Sequence, residues 1–284
     1  VFFSRWVEED NGSSLRYNIS RTLSRVFTDK ASYYMEKSSN VKEETPEESD
    51  KLRDIGTYLT NIAIQLKKTN FKKNIMLEAA DAFSRADPDF MKKLDENPYL
   101  LCFTNGVIDL KEKIFRPGRA EDRISLCTNI KYIPSSKFTN KQKEYVEEIK
   151  EFMRKLFPVP ELNKYMWEHL ASVLFGVNIN QTFNIYNGGG SNGKSKLVEL
   201  MSSVLGDYKG VVPVSLVTER RGGVGSLSGE VAALKGIRYA VMQEPSKGAR
   251  LNDGVMKELT GEDALMANPK YKDPIVFIPQ FSLV

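Results

Sequence analysis

The sequence predicts a mixed α/β chain in two parts. A mainly helical α+β segment covers residues 1–180, and a segment built on a parallel sheet covers residues 181–284. Three observations lead there. Apolar residues recur at helical spacing through much of the first 86 positions. A glycine-rich loop at 188–195 lies between a β-like run and a helix-like run. A second apolar strand, about fifty residues after that loop, ends in a carboxylate.

Residues 1–37 read as one or two helices with Leu15, Ile19, Leu23, Val26 and Phe27 facing inward. Residues 38–50 are polar, hold a proline and predict a mobile loop. Ser49 or Asp50 then caps a helix to about residue 68, with a stripe of Leu52, Ile55, Leu59, Ile62, Ala63 and Leu66. A helix over 72–86 rests on Ile75, Met76, Ala79, Ala80 and Phe83, and stops before Asp87-Pro88 because a residue preceding proline avoids the α region. Residues 99–103 are extended. Asn105-Gly106 is a turn signal, and Val107-Ile108-Asp109-Leu110 pairs with Ile114-Phe115 as a hairpin. Residues 123–133 form another β-like run. A helix over 140–157 is broken by Pro158 and Pro160, and the next, over about 161–175, ends at Gly176. The boundary between the two parts is expected near 177–182.

The loop Gly188-Gly189-Gly190-Ser191-Asn192-Gly193-Lys194-Ser195 fits G-x-x-x-x-G-K-[ST], the phosphate-cradling loop of P-loop ATPases. Phe183-Asn184-Ile185-Tyr186 precedes it as a strand. Residues 196–205 follow as a helix on Leu197, Leu200, Met201 and Val204, stopped by Gly206. Glycines lack Cβ, so the backbone can bend around a triphosphate and aim its N–H groups at the oxygens. The helix opening at Lys194 adds the positive end of its dipole. Lys194 is expected to reach the β- and γ-phosphates of ATP, the Ser195 hydroxyl to ligate Mg²⁺, and Lys196 to complete the phosphate site.

The site needs an acid on another strand. Ile237-Arg238-Tyr239-Ala240-Val241-Met242-Gln243-Glu244 supplies one, expected as a neighbouring parallel strand: Glu244 stands at a carboxyl end, where open α/β sheets hold ligands, and is assigned the polarising of the attacking water. Gln243 before it cannot bring negative charge to the metal. Either Mg²⁺ is held by Ser195, phosphates and water, or Asp263 helps. Residues 251–261 read as a helix carrying Lys257, which is either a solvated lysine or a group near the γ-phosphate or DNA. Lys270-Tyr271-Lys272 is a short basic and aromatic cluster, suited to phosphates and a stacked base. Arg220-Arg221-Gly222-Gly223-Val224-Gly225 is either a plain surface loop or a segment facing DNA or a neighbouring subunit.

Composition sets the limits. A net charge of +4 over 284 residues is compatible with nucleic acid without requiring it, because basic residues are scattered among acids. No apolar run approaches the roughly 20 residues that span a membrane, and no signal peptide is visible. Cys102 and Cys127 are too few for a disulfide framework and are expected as reduced thiols of an intracellular protein. His169, the only histidine, reads as structural. The chain opens on Val1 and closes on Phe281-Ser282-Leu283-Val284 inside an apolar run, so both ends are expected to continue into a longer protein.

The ordered stretches GGGSNGKSK, SGEVAALKGIRYAVMQEPS, LNDGVMKELTGED and FIPQFSLV resemble superfamily 3 helicases, AAA+-related ATPases, and within them the viral primase–helicases of poxvirus type. Upstream, NPYLLCFTNGVIDLKEKIFRPG and DRISLCTNIKYIP resemble the domain preceding the ATPase in those proteins, so the likeness covers about residues 75–284. It implies an AAA+-like P-loop domain and a replicative DNA helicase of a large DNA virus. A homo-hexamer would surround single-stranded or forked DNA and work with other replication proteins in the host cytoplasm, a viral factory or the nucleus. The family's phosphate-loop roles fall on Gly193, Lys194 and Ser195, the acid on Glu244, and DNA or site-supporting roles on Lys257 and Asp263. The chain departs from the pattern at Asn268, where the family often has arginine. The polar sensor residue and the arginine finger are expected beyond Val284, so this segment alone is expected to be inactive. No paired aspartates of a priming centre are visible; if the parent protein primes, that part is expected before Val1. The competing class is a nucleotide-dependent DNA-binding, initiator or packaging ATPase that separates no strands. A metabolic P-loop kinase is disfavoured because no acceptor site is recognisable.

Overall fold

A computed structural model describes residues 4–42, 45–218, 229–242, 248–269 and 273–284. The chain divides into two compact units, one of Val7–Asp89 and one of Val1–Trp6 with Phe90–Val284.

The first unit is helical: α1 (Ser13–Asn18), a wide π-type turn (Ile19–Leu23), α2 (Ser24–Val41), α3 (Pro46–Gln65) and α4 (Thr69–Ala86). α2 and α3 form an antiparallel hairpin, and small residues let them approach. The buried positions of α2 are Ser24, Ala31 and Ser38, one heptad apart, facing Ser49, Leu52, Gly56 and Ala63 of α3. A Cβ on Gly56 would already stand 3.0 Å from Met35. The buried hydroxyls are all satisfied across the seam. Ser24 Oγ donates to Ala63 O at 3.0 Å, Ser38 Oγ to Ser49 O at 2.7 Å, and Ser49 Oγ to Ser38 O at 2.9 Å.

This corrects four expectations. The loop over 38–50 is helical at both ends, because Ser38 and Ser49 are partners rather than loop residues. Pro46 at the first helical position opens α3 in place of a Ser49 or Asp50 cap. Of the inward stripe on residues 15–27 only Ile19 is buried, while Leu15, Leu23 and Val26 are exposed. α4 buries none of its residues, so its predicted stripe is a half-exposed face.

The second unit adds α5 (Phe90–Lys93) and the antiparallel sheet β1 (Leu100–Phe103), β2 (Gly106–Asp109) and β3 (Ile114–Arg116), as the Asn105-Gly106 turn predicts. The expected strand over 123–133 does not form. It lies along β1 through single bonds, Thr128 N to Cys102 O at 2.9 Å and Thr104 N to Ile130 O at 3.0 Å. α6 (Asn140–Leu156) starts in a capping box in which the Thr139 side chain and Gln142 exchange bonds. α7 (Pro160–Ser172) follows, and then α8 (Lys194–Leu205), β4 (Lys209–Val212), α9 (Val214–Thr218), α10 (Gly229–Ala232) and β5 (Tyr239–Met242). The chain closes with α11 (Asp253–Thr260), β6 (Leu265–Ala267), β7 (Ile275–Phe277) and β8 (Ser282–Leu283). β6 and β7 form an antiparallel pair of their own.

The central sheet is parallel. β5 lies between β4 and β8, and Phe183 bridges to the far side of β8 at Leu283. One core joins β1 and helices α6, α7 and α8 to this sheet through Leu101, Met153, Leu170, Leu197, Leu205 and Tyr239. The boundary expected at 180/181 therefore lies inside a packed unit. A second fastening is Arg238, which is almost wholly buried. Its Nη2 donates to Asn97 O at 3.1 Å and Leu100 O at 3.3 Å, and the guanidinium lies 5.8 Å from the Tyr208 ring centroid. Burial lowers its pKa to about 10, so it remains charged at neutral pH. Cys102 and Cys127 are buried free thiols.

Candidate nucleotide-binding site

The site is assembled on the carboxyl edge of the parallel sheet. Phe183 pairs with Leu283, and Asn184 N donates to Leu283 O at 2.8 Å, which fixes the strand leading into the glycine loop. Leu283 is in register with Ala240. Phe183 and Ala240 thus stand two strand spacings apart, about 10 Å, and both chains run on to the same edge. The strand that leads to the loop and the strand that leads to the acid are not direct neighbours, because β8 is interposed. This corrects the expectation of neighbouring strands, which sequence order alone could not test.

Ser191, at φ 58°, and Gly193, at φ 84°, both take left-handed backbone, and this turns the chain into α8. Gly193 has a second constraint: a Cβ there would stand 2.9 Å from Leu156 Cδ1 and 3.9 Å from Phe152 Cε2. The end of α6 therefore props the last glycine of the loop. α8 begins at Lys194, where the helix is expected to open. Its first N–H groups have no intrahelical acceptor and face the loop end of the helix. The Lys194 ammonium folds back and donates to Gly188 O at 2.9 Å, Asn192 Oδ1 at 2.9 Å and Gly189 O at 3.5 Å. A Cβ on Gly188 would meet Asn192 Nδ2 at 2.1 Å and Lys194 Nζ at 3.3 Å, whereas Cβ atoms on Gly189 or Gly190 would meet nothing within 4 Å.

Ser195 is exposed at the start of the helix. The Lys196 ammonium is turned along α8 to Glu199 at 2.8 Å, which raises its pKa, so at the loop this residue offers its backbone N–H. Lys257, on α11, and Asp263, just beyond it, are exposed and take no part in the bonds that hold Lys194. The N-terminus of α11 is capped by Asn252 Oδ1, which accepts from Gly254 N at 3.1 Å and Val255 N at 3.3 Å. Glu244, Gln243, the 220–225 loop, and Lys270, Tyr271 and Lys272 lie outside the described residues.

Sequence reasoning missed what supports the loop from below. His169 Nε2 lies 2.8 Å from the Tyr186 hydroxyl, two residues before Gly188. Burial lowers the His169 pKa and raises that of Tyr186, so the pair is neutral at pH 7. His169 is structural, as expected, but the structure in question is the approach to the loop. The available signal was an apolar α7 facing an aromatic residue in the strand before the loop.

Residues 4–158, more than half of the chain, match the family described as D5 N terminal like. The chain is also 37% identical to the "Putative helicase L207/L206" of Acanthamoeba polyphaga mimivirus, over 98% of this chain and 28% of that protein. The chain belongs to the D5-type viral primase–helicase family. Another relative of this D5-type chain is the "Putative helicase 121R" of Invertebrate iridescent virus 3, 31% identical over 82% of this chain and 24% of the relative. The "Putative primase C962R" of African swine fever virus (isolate Warthog/Namibia/Wart80/1980) is 27% identical over 90% of this chain and 26% of its own length. The D5-type chain spans about a quarter of the length of the curated relatives it matches. Among its described residues no helix is long and apolar enough to cross a membrane.

Proposed function

We propose that this chain carries the ATP-binding part of a viral replicative DNA helicase, a superfamily 3 motor of AAA+ type that acts as a hexamer within a primase–helicase. The observation that carries the proposal is the Lys194 ammonium held inside a glycine loop by Gly188 O and Asn192 Oδ1, at the start of α8 and on the same sheet edge toward which β5 runs. The residues suit a triphosphate. Two open glycines leave the backbone approachable, a helix N-terminus faces the loop, and a lysine there can exchange carbonyl acceptors for phosphate oxygens. With Mg²⁺ bound, the nucleotide supplies a phosphoryl group ready for transfer to water. Lys194 then neutralises phosphate charge, Ser195 offers its hydroxyl to the metal with Asp263 as a further acid, and Glu244 accepts a proton from water. Residues 188–196 supply the surrounding N–H groups. Lys257 and the 270–272 cluster serve as DNA contacts.

Titration with a fluorescent ATP analogue tests the loop. Lys194→Ala loses a hydrogen-bonding charge worth about 1.5–3 kcal/mol, or roughly 10- to 150-fold in affinity. Unchanged affinity in that variant would overturn the assignment. A forked-duplex assay on the full-length protein tests the motor: Lys194→Ala and Glu244→Gln should each abolish strand displacement there. Salt-sensitive DNA binding with no displaced strand in the unaltered full-length protein would instead support a DNA-binding or initiator ATPase that separates no strands.

A further inference from the structure

The helical unit Val7–Asp89 holds 13 Lys and Arg against 15 Asp and Glu, so its net charge is −2. Its charges are nevertheless sorted. Residues 11–28 hold Arg16, Arg21 and Arg25 and no acid; residues 55–77 hold Lys67, Lys68, Lys72 and Lys73 and no acid. The fold brings these two stretches together. Ser24 Oγ bonds Ala63 O at 3.0 Å, Lys72 Nζ donates to Ser20 Oγ at 2.7 Å, and a Cβ on Gly12 would stand 2.5 Å from Met76 Cε. Among neighbouring acids, Glu9 is turned onto Ser14 and Asp29 stands 3.9 Å from Arg25. Residues 36–54, at the opposite end of the hairpin, hold seven acids and four basic residues.

This basic end also carries aromatic rings in the open. Tyr17 is 61% exposed with the Arg21 guanidinium 5.8 Å from its ring centroid, and Phe71 is 38% exposed. Phe71 borders a hollow of about 400 Å³ lined by Gln65, Lys68, Thr69, Asn70 and Asn74 as well. That lining offers a π face, a cation, and three side-chain amides that both donate and accept. A nucleotide presents a flat ring, an anion and a mixed donor–acceptor edge. In a duplex the ring faces are stacked and the pairing edges engaged; in a single strand both are free.

We propose that the end of α1–α4 where these two basic stretches meet binds single-stranded DNA, with a base against Phe71 in the hollow and phosphates tracking Arg16, Lys68 and Lys73. The choice of DNA over RNA rests on the helicase reading; the electrostatic and stacking argument does not.

The test is fluorescence anisotropy of the whole chain with a labelled oligothymidylate of about 20 nucleotides, titrated at several salt concentrations. Each phosphate contact on a single strand adds about 0.7 to the slope of log K against log salt. The triple variant Arg16→Gln, Lys68→Gln, Lys73→Gln should therefore bind more weakly with a slope smaller by about 2. Phe71→Ala should weaken binding by roughly 5- to 150-fold with the slope unchanged. Lys51→Gln, on the acidic end, should change neither. Lys51, Lys68, Phe71 and Lys73 are exposed and Arg16 is half-buried, so helicity should hold and the melting temperature should change little. Lys194→Ala should bind the oligonucleotide as the unaltered chain does, which separates failure here from failure of the nucleotide site. No binding by the unaltered chain, an unchanged slope in the triple variant, or equal affinity for a duplex would overturn the proposal. Tighter binding of oligouridylate would overturn its assignment to DNA.

Discussion

The four glycines of the loop should respond differently to the same added methyl group, and the difference can be worked out from their surroundings. Gly193 sits at φ 84°, where a residue with a Cβ costs about 1–2 kcal/mol. The methyl would also press Leu156 Cδ1 from 2.9 Å. In a unit of about 200 residues each kcal/mol moves the melting temperature by about 2–4 °C, so Gly193→Ala should melt about 2–8 °C lower. Gly188→Ala meets only the ends of two flexible side chains, the Asn192 amide at 2.1 Å and Lys194 Nζ at 3.3 Å. The free chain should barely change, but Lys194 loses its Asn192 acceptor and its setting. Gly189→Ala and Gly190→Ala enter open space and should stay within about 0.5 kcal/mol of the parent. Calorimetry with and without Mg-ATP reads both effects. At 100 times Kd, nucleotide adds about 2.7 kcal/mol of stability; a tenfold loss of affinity at the same concentration leaves about 1.4 kcal/mol. Gly188→Ala should show the smaller increment, Gly193→Ala a lower starting point and a smaller increment, and the middle glycines no change in starting point. If Gly189→Ala melts as low as Gly193→Ala, or if Gly188→Ala and Gly193→Ala keep the full increment, the account of the loop is wrong.

Three further outcomes follow from buried groups. Burial lowers the His169 pKa, so the stability it contributes is present above its unfolded value of about 6.5 and is lost as the pH falls below that; denaturant melts from pH 7.5 to 5 should fall less steeply in His169→Gln, which keeps a polar partner for Tyr186. The Cys102 thiol is pushed up to about 12, first by burial and then by Cys127 beside it. Its contribution is therefore complete below an unfolded pKa of about 8.5 and is lost as the pH rises toward 12; iodoacetamide at pH 8 should spare it in the native chain, by mass spectrometry, and label it in urea. Gly176→Ala places a Cβ 1.2 Å from Arg238 Nη1, so the guanidinium must leave its carbonyl acceptors. A cost of about 3–5 kcal/mol is expected for a stranded buried charge, read as a lower melting temperature that Arg238→Met in the same chain partly restores.

Much of the fold was legible because local rules agree with it. The Asn105-Gly106 hairpin, the helix over 140–157, the proline-bounded start of α7 and the strand–loop–helix unit at 183–205 are all written in neighbouring residues. The errors fall where a polar residue found a distant partner. Ser38 and Ser49 read as loop because serine favours turns, yet each satisfies its hydroxyl on the other's helix. The 123–133 run reads as a strand from its β-branched residues, but it bonds to β1 only at single points. Phe152 and Leu156 fall in the helix expected over 140–157, and nothing in their own neighbourhood marks them as the support of Gly193.

The sequence alone determined that a glycine loop precedes a helix opening on Lys194, because the identities needed for a tight turn, a helix start and a phosphate-seeking cation are adjacent in the chain. Only the tertiary structure decided that β8 separates the loop strand from the acid-bearing strand, that α6 and His169 hold the loop from beneath, and that two acid-free stretches converge at one end of the helical unit. Turn and helix propensities act over a few residues, whereas strand order, props and charge clusters arise from contacts between residues far apart in sequence, which local pattern does not encode.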